Sequence, residues 1–310
     1  MRRAGALALF AAAPAALPRL AGAQTLTTVR IGFAATDIGS QPWYGKELGI
    51  FARHGIDAEL TTFNNSQAIS NAAASGAIDT GAADMIQMAN GYLHGVPFAF
   101  FAGAAIYSSA QPTLELRVMK DSPYRKAADL EGQPVGVIAL NSISSLSVQE
   151  WVRQGGADIA KVKIFEMPFP TMLPGLERGT VAAALISEPF LTSSYPETRL
   201  LAKTYDTVAK EFYVTAWFAS RDWLKKSPEV TRNFTAAVYE TAHWLNARRP
   251  ESATMLATLT KLPLENIRAM RRAQFGTTLE PKLMQPVLDI GARYKAIDRP
   301  VAAADLIAGA

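Results

Sequence analysis

Residues 76–84 read GAIDTGAAD and residues 179–187 read GTVAAALIS, the same phrase written twice, 103 positions apart. Each is a glycine, a short run of small apolar residues, and a polar stop. Each also closes a longer block. In the first block, TVRIGFAA (28–35) is a β-branched apolar run, followed by the polar loop TDIGSQPWY. A helical stretch then ends at RHGI, with Gly55 placed for a left-handed cap. IDAELTTF (56–63) alternates as a strand does, and SQAISNAAASG reads as a small helix with Ser66 as N-cap. In the second block, QPVGVIAL (133–140) is the first strand and NSISSLSVQEWVRQGG the helix. KVKIFEMP (161–168) is the second strand, TMLPGLERG the short helix and TVAAALI the third strand. Strand starts are offset by about 103–106 residues. Each block is β-α-β-α-β, the unit that builds a parallel sheet with right-handed crossovers. A chain carrying two such blocks is expected to fold as two similar α/β lobes facing each other.

After the second block, EFYVTAWFAS (211–220) reads as one more strand, and the remainder is mostly helical. A long helix opens with Ser227 as N-cap, Pro228 in its first turn and Glu229 beside it. Val230, Phe234, Ala237, Val238, Thr241 and Leu245 recur along it at three- and four-residue spacing. Shorter helices begin near Pro250, Leu264 and Pro281, with no low-complexity linker before them, so they should pack on one lobe.

The 310 residues suffice for two domains of ordinary size, and 49% hydrophobic with 19% charged residues fits a folded chain. Arg2, Arg3 and Arg19 lie in the first 23 residues, which carry no acid; without these three the net charge of +4 falls to +1. Nothing electrostatic points to nucleic acid or to an anionic membrane. Within that segment MRR is a positive start, AGALALFAAAPAAL an apolar run of 14, and AGA a small-residue cleavage site. This is the layout of a secretory signal peptide over residues 1–23, through the general or the twin-arginine route. The chain has no cysteine, which removes disulfides, thiol chemistry and a lipid anchor on cysteine. The expected place is the periplasm.

Ligands of parallel sheets sit outside the carboxyl ends of the strands. After the first strand come Thr36, Asp37, Ser40 and Gln41, with Trp43 close behind; after the third come Asp84 and Met85. In the second block the corresponding residues are Asn141, Ser142 and Ser144, then Glu188 and Phe190. Tyr213 joins them as an aromatic candidate. Simpler roles are open to each: Asn141 or Ser142 caps the helix that follows, Asp84 caps MIQMANG, Glu188 fixes a strand exit, and the aromatics fill a core. No nucleophile elbow, phosphate loop, dinucleotide fingerprint or metal-ligand spacing is present, and His54, His94 and His243 lie in unrelated contexts. No enzyme activity, metal or cofactor is expected.

VRIGFAAT, GKELGIFARHGIDAEL, AIDTGAADM, KAADLEGQPVGV, LERGTVAAALISEPFL and LEPKLMQPVLDIGARYKAID, in that order, carry a resemblance. The chain resembles the solute-binding proteins of bacterial ABC importers for nitrate, sulfonate and taurine, a group that includes binders of thiamine-pyrimidine precursors. The resemblance implies a two-lobed periplasmic-binding-protein fold of the second type, with crossovers near 114–118 and 215–219. One lobe would take residues 24–115 and 216–310, the other 116–215. It implies hinge closure on a solute, delivery to a membrane permease and its ATPase, and a monomer. It also implies a cleft drawing on Thr36 to Trp43, Ala83 to Met85, Asn141 to Ser144, Glu188 and Phe190.

Two departures bear on the solute. Asp84 stands where sulfonate and taurine binders usually carry a small residue, and Ser187 where a tryptophan often precedes the glutamate. These loops hold carboxylates and no lysine or arginine before Lys46. A neutral or amine-bearing solute, such as a heterocycle stacking on Trp43 or Phe190, is expected ahead of a sulfonate or nitrate. A periplasmic sensor protein and an enzyme of thiamine-pyrimidine metabolism on the same fold are the alternatives.

Overall fold

The first block folds in the order that the repeat predicts. In the computed structural model, which describes residues 25–309, β1 (Thr27–Phe33) leads into the short helices α1 (Gln41–Glu47) and α2 (Ile50–Arg53). Then come β2 (Ile56–Thr62), α3 (Ser66–Ala74), β3 (Thr80–Ala83), α4 (Met85–Leu93) and β4 (Phe98–Gly103). The expected signal segment lies outside the described residues. Gly55 takes the left-handed conformation expected of it, with φ 74°. The cap of α3 differs by one residue: Asn65, extended at φ −157°, accepts from the Ala68 N–H at 2.9 Å, and Ser66 is already helical.

The chain then passes through β5 (Ala105–Ser108) into the second block. Its elements are β6 (Leu114–Met119), β7 (Pro134–Val137), α5 (Ile143–Gln154), β8 (Lys163–Glu166), α6 (Phe169–Glu177), β9 (Ala183–Ser187), α7 (Phe190–Ser194) and β10 (Thr198–Ala202). It returns through β11 (Glu211–Tyr213) to β12 (Ala216–Ser220). The C-terminal part holds α8 (Arg221–Lys226), α9 (Pro228–Ala247), α10 (Arg249–Thr260), α11 (Leu264–Ala269), β13 (Gln274–Phe275) and α12 (Pro281–Arg293).

Two five-stranded sheets result, in the orders β2-β1-β3-β12-β4 and β10-β6-β9-β7-β8. Within each, the three repeated strands are parallel, and their registers match: Ile31 faces Thr80 in one sheet, Val135 faces Ala183 in the other. Each parallel trio is extended by an antiparallel strand beside its third member, β12 on β3 and β6 on β9. Residues 114–118 and 216–219 of the segments expected as crossovers are therefore strands inside the sheets. The crossings are made by β5 and β11, which pair antiparallel and with β13 form a third, three-stranded sheet.

The apolar stripe of α9 is buried as its spacing requires: Phe234, Ala237, Val238 and Leu245 are all inaccessible. Phe234 packs on Trp217 of β12 with ring centroids 5.1 Å apart. The buried Glu115 has cationic partners, which offsets the cost of its burial. In β6, Glu115 accepts from Arg117 at 2.8 Å and from Arg271 at 2.6 Å.

The matched registers generate a test. A Cβ on Gly81 would stand 2.4 Å from Cγ2 of Ile69, whose β-branched side chain is stiff. One on Gly136 would meet the flexible thioether of Met167 at 2.5 Å. Gly81→Ala is expected to cost about 1–3 kcal/mol and Gly136→Ala clearly less, read from urea midpoints of the two variants.

Candidate ligand-binding site

Where the carboxyl ends of β1 and β3 face the start of α5, the chain encloses a cavity of about 90 Å³. At roughly 10–15 Å³ per water, this has room for a solute the size of about six to nine waters. Phe33 and Thr36 line it from the end of β1, and Asp84 and Gln87 from α4. Asn64 and Asn65 enter from the loop after β2, and Ser66 and Gln67 from the start of α3. From the second sheet's side come Ser142, Ile143 and Ser144 at the start of α5, Phe169 at the start of α6, and the buried Tyr205. Val214 and Thr215, on the return between β11 and β12, complete the wall.

Asp84 binds the two sides together. Its backbone is extended and its side chain caps α4: Oδ1 accepts from the Ile86 N–H at 2.7 Å. Oδ2 accepts from the N–H of Ile143, the first residue of α5, at 2.9 Å. One carboxylate thus satisfies orphan donors of two helices that leave different sheets. Burial pushes its pKa up to about 6, against the pull of these N–H donors. Beside it Ser142, the N-cap of α5, gives its hydroxyl to the Ala139 carbonyl at 2.8 Å and lies 2.7 Å from Ser144 Oγ. At the rim Gln87 donates to the carbonyl of Asn141, whose φ is 50°. Asn65 reaches Glu166 of β8 at 3.4 Å.

Of the predicted site residues, Thr36, Asp84, Ser142 and Ser144 come together on the cavity. The other nine do not line it. Asp37 is buried against Arg272, whose Nε donates to it at 2.9 Å, and it also accepts from the Ala273 N–H. Ser40 donates to the Asp37 carbonyl. Gln41 donates to the Val238 carbonyl at 2.8 Å and accepts from Trp217 Nε1 at 3.0 Å. Trp43 packs edge-on against Tyr44, and Met85 is buried in the core. Asn141 offers only its carbonyl, at the rim. Glu188 folds back on α7, accepting from the N–H and hydroxyl of Thr192 at 3.0 and 2.8 Å. Phe190 is half-buried on the main core, and Tyr213, in the three-stranded sheet, donates its hydroxyl to the Thr278 carbonyl at 2.6 Å.

The strand-end rule, applied to β2 as well as to β1 and β3, would have pointed to Asn64 through Gln67. Phe169 follows β8 in the same way. Tyr205 and Thr215 carry no local signal, because their place depends on where the chain returns. Among the described residues lining the cavity, Asp84 is the one carboxylate, and no lysine, arginine or histidine joins it.

A model of the NMT1-like family matches residues 22–261. The chain belongs to the NMT1-like family. This NMT1-like chain is 23% identical over 265 residues to a Brucella abortus protein named "Putative binding protein", covering 81% of this chain and 77% of that one. It is similar in fold to the periplasmic aliphatic sulphonate binding protein SsuA of Escherichia coli, with a TM-score of 0.73, 18% identity, and 90% and 97% of the two chains covered. The periplasmic nitrate-binding protein NrtA of Synechocystis PCC 6803 gives 0.77 and 16%, covering 91% and 85%. The desulfurization enzyme DSZB gives 0.69 and 13%, covering 91% and 96%. The periplasmic-binding-protein architecture that the resemblance implied is the fold of this NMT1-like chain, and an enzyme shares that fold with binding proteins.

Two predictions follow from the buried acids. Asp37→Ala would leave the Arg272 guanidinium buried and unpaired, which is expected to cost about 3–5 kcal/mol, read as a fall in the unfolding midpoint. Burial also raises the Glu188 carboxyl to about 7 from an ordinary 4.5, and Asp84 to about 6 from 3.8. The native state holds these two protons to higher pH than the unfolded chain, so stability falls as pH rises through this range. Glu150, held down at about 2 chiefly by its hydrogen bond from Arg153, acts only below that window. Urea midpoints at pH 5 and 7.5 should show a loss of about 2–4 kcal/mol, and Glu188→Gln should remove the Glu188 share, roughly half of it or more, leaving that of Asp84. A profile flat in the parent would contradict the assignment.

Proposed function

We propose that this chain is the extracytoplasmic solute-binding component of an ABC importer. Its lobes, residues 24–115 with 216–310 and residues 116–215, close on a small solute that a membrane permease and its ATPase then take up. The observation that carries this reading is the cavity itself: strand ends and helix starts of both five-stranded sheets wall it, and two hydrogen bonds cross it, one accepted by Asp84 from the Ile143 N–H and one donated by Gln87 to the Asn141 carbonyl. The family, the Brucella relative's name and the binding proteins of similar fold support it. Delivery to the periplasm by the expected signal peptide, and action as a monomer, belong to the same proposal. Among the described residues no helix is long and apolar enough to cross a membrane.

The solute is small and either neutral or amine-bearing. Phe33 and Phe169, in place of Trp43 and Phe190, supply the aromatic surface for a heterocycle. Thr36, Ser142, Ser144, Asn65 and Gln87 supply uncharged polar groups. An anion about 4 Å from the Asp84 carboxylate would be opposed by about 4 kcal/mol at an effective dielectric of 20. The names of the similar sulfonate- and nitrate-binding proteins favour an anion, and the cavity's own charge opposes it.

A thermal-shift panel of nitrate, alkanesulfonates and carboxylates against amines, aminopyrimidines and neutral heterocycles decides between them. A ligand at 100 times its Kd adds about 2.7 kcal/mol, which for a chain of this size raises the midpoint by roughly 5–10 °C. The expected shift comes from the uncharged and amine arm. A shift of that size with nitrate or a sulfonate alone would overturn the solute class.

A further inference from the structure

A helix start with free N–H groups attracts anions. In this cavity two such starts, those of α4 and α5, converge on one point, and a side chain of the protein already stands there. The Asp84 carboxylate gives one oxygen to each helix, at 2.7 and 2.9 Å, and its residue is only 4% exposed. α4 has nine residues and α5 twelve, so both present an ordered first turn. The remaining polar groups on the wall are hydroxyls and amides.

We propose that Asp84 is the specificity-determining residue of this cavity: it is the chain's own anion, held between the amino ends of two helices from two sheets, and it excludes anionic solutes in favour of uncharged ones. This rests on the reading of the cavity as a solute site, and it narrows that reading. Both Asp84 oxygens are committed to backbone N–H groups, so an ammonium group would have to share them; a solute bound through hydroxyls, amides and ring faces would not. The residue therefore acts by filling the anion position rather than by pairing with the solute.

The two roles of Asp84 separate by substitution. Asp84→Ser keeps a good N-cap for α4, but its hydroxyl is too short to serve both helices, which frees the Ile143 N–H. Asp84→Gly removes the side chain outright, and glycine at an N-cap costs only a few tenths of a kcal/mol, so at least one variant is expected to fold. Parent and variants, checked by circular dichroism, are titrated calorimetrically with sodium nitrate and sodium methanesulfonate. The expected result is no measurable binding by the parent and at least a ten-fold gain in affinity for one of these anions in the folded variants. Tight binding of either anion by the parent overturns the proposal, as does a folded variant that gains none. If a neutral compound binds the parent and the variants gain no anion, the solute-site reading stands and the assignment to Asp84 falls. If no compound of the panel binds the parent and the variants gain an anion, the assignment stands and the solute class needs another source.

Discussion

Helices α4 and α5 leave different sheets, and their first turns meet on the Asp84 carboxylate. A buried helix start with unpaired N–H groups is costly, and here one side chain answers for both. That requirement fixes how close the two sheets come and how they are aligned, because the donors of Ile86 and Ile143 must reach opposite oxygens of the same group. The cavity is the space left beside this contact. Its size, its small hydroxyls and its charge all follow from what must stand around a shared cap.

The other buried charges hold the frame in which that contact forms. Arg272 closes on Asp37 behind α1, while its neighbour Arg271 reaches Glu115 in β6, so consecutive residues of one segment grip both sheets. On another side Glu150 of α5 accepts from Arg293 and Tyr294 at the end of α12, at 3.0 and 2.6 Å. Losing the partners of the buried Glu115, Glu150 or Asp37, or Asp37 from beside the buried Arg272, strands a charge in a poor dielectric. The C-terminal helices are thus part of the two-sheet frame. Any opening of the cavity has to respect them.

Much of the frame could be read in advance, because it is written in local spacing. The offset of about 103–106 residues put three strands of each block in order, and the sheets confirm it to the register. Gly55, Ser227 and the buried stripe of α9 sit where their spacing puts them. The misplaced parts were those that only pairing could locate. β6 and β12 look like connectors in the chain because they leave and re-enter a block, and they become sheet strands only by lying antiparallel to β9 and β3.

The site divides along the same line. Asp37 follows β1 by four residues and Asp84 follows β3 by one, both in strand-end segments of the first block. Asp37 meets a guanidinium 235 positions later and is consumed by it; Asp84 meets the start of a helix 59 positions later and stays on the cavity wall. Sequence alone determined the repeat, the parallel trio of strands in each sheet and the kinds of residue their ends could offer, since periodicity and capping act over a few neighbours. Which of those residues face a solute was decided by tertiary structure, because a polar side chain goes to whichever partner the long-range fold brings within about 3 Å.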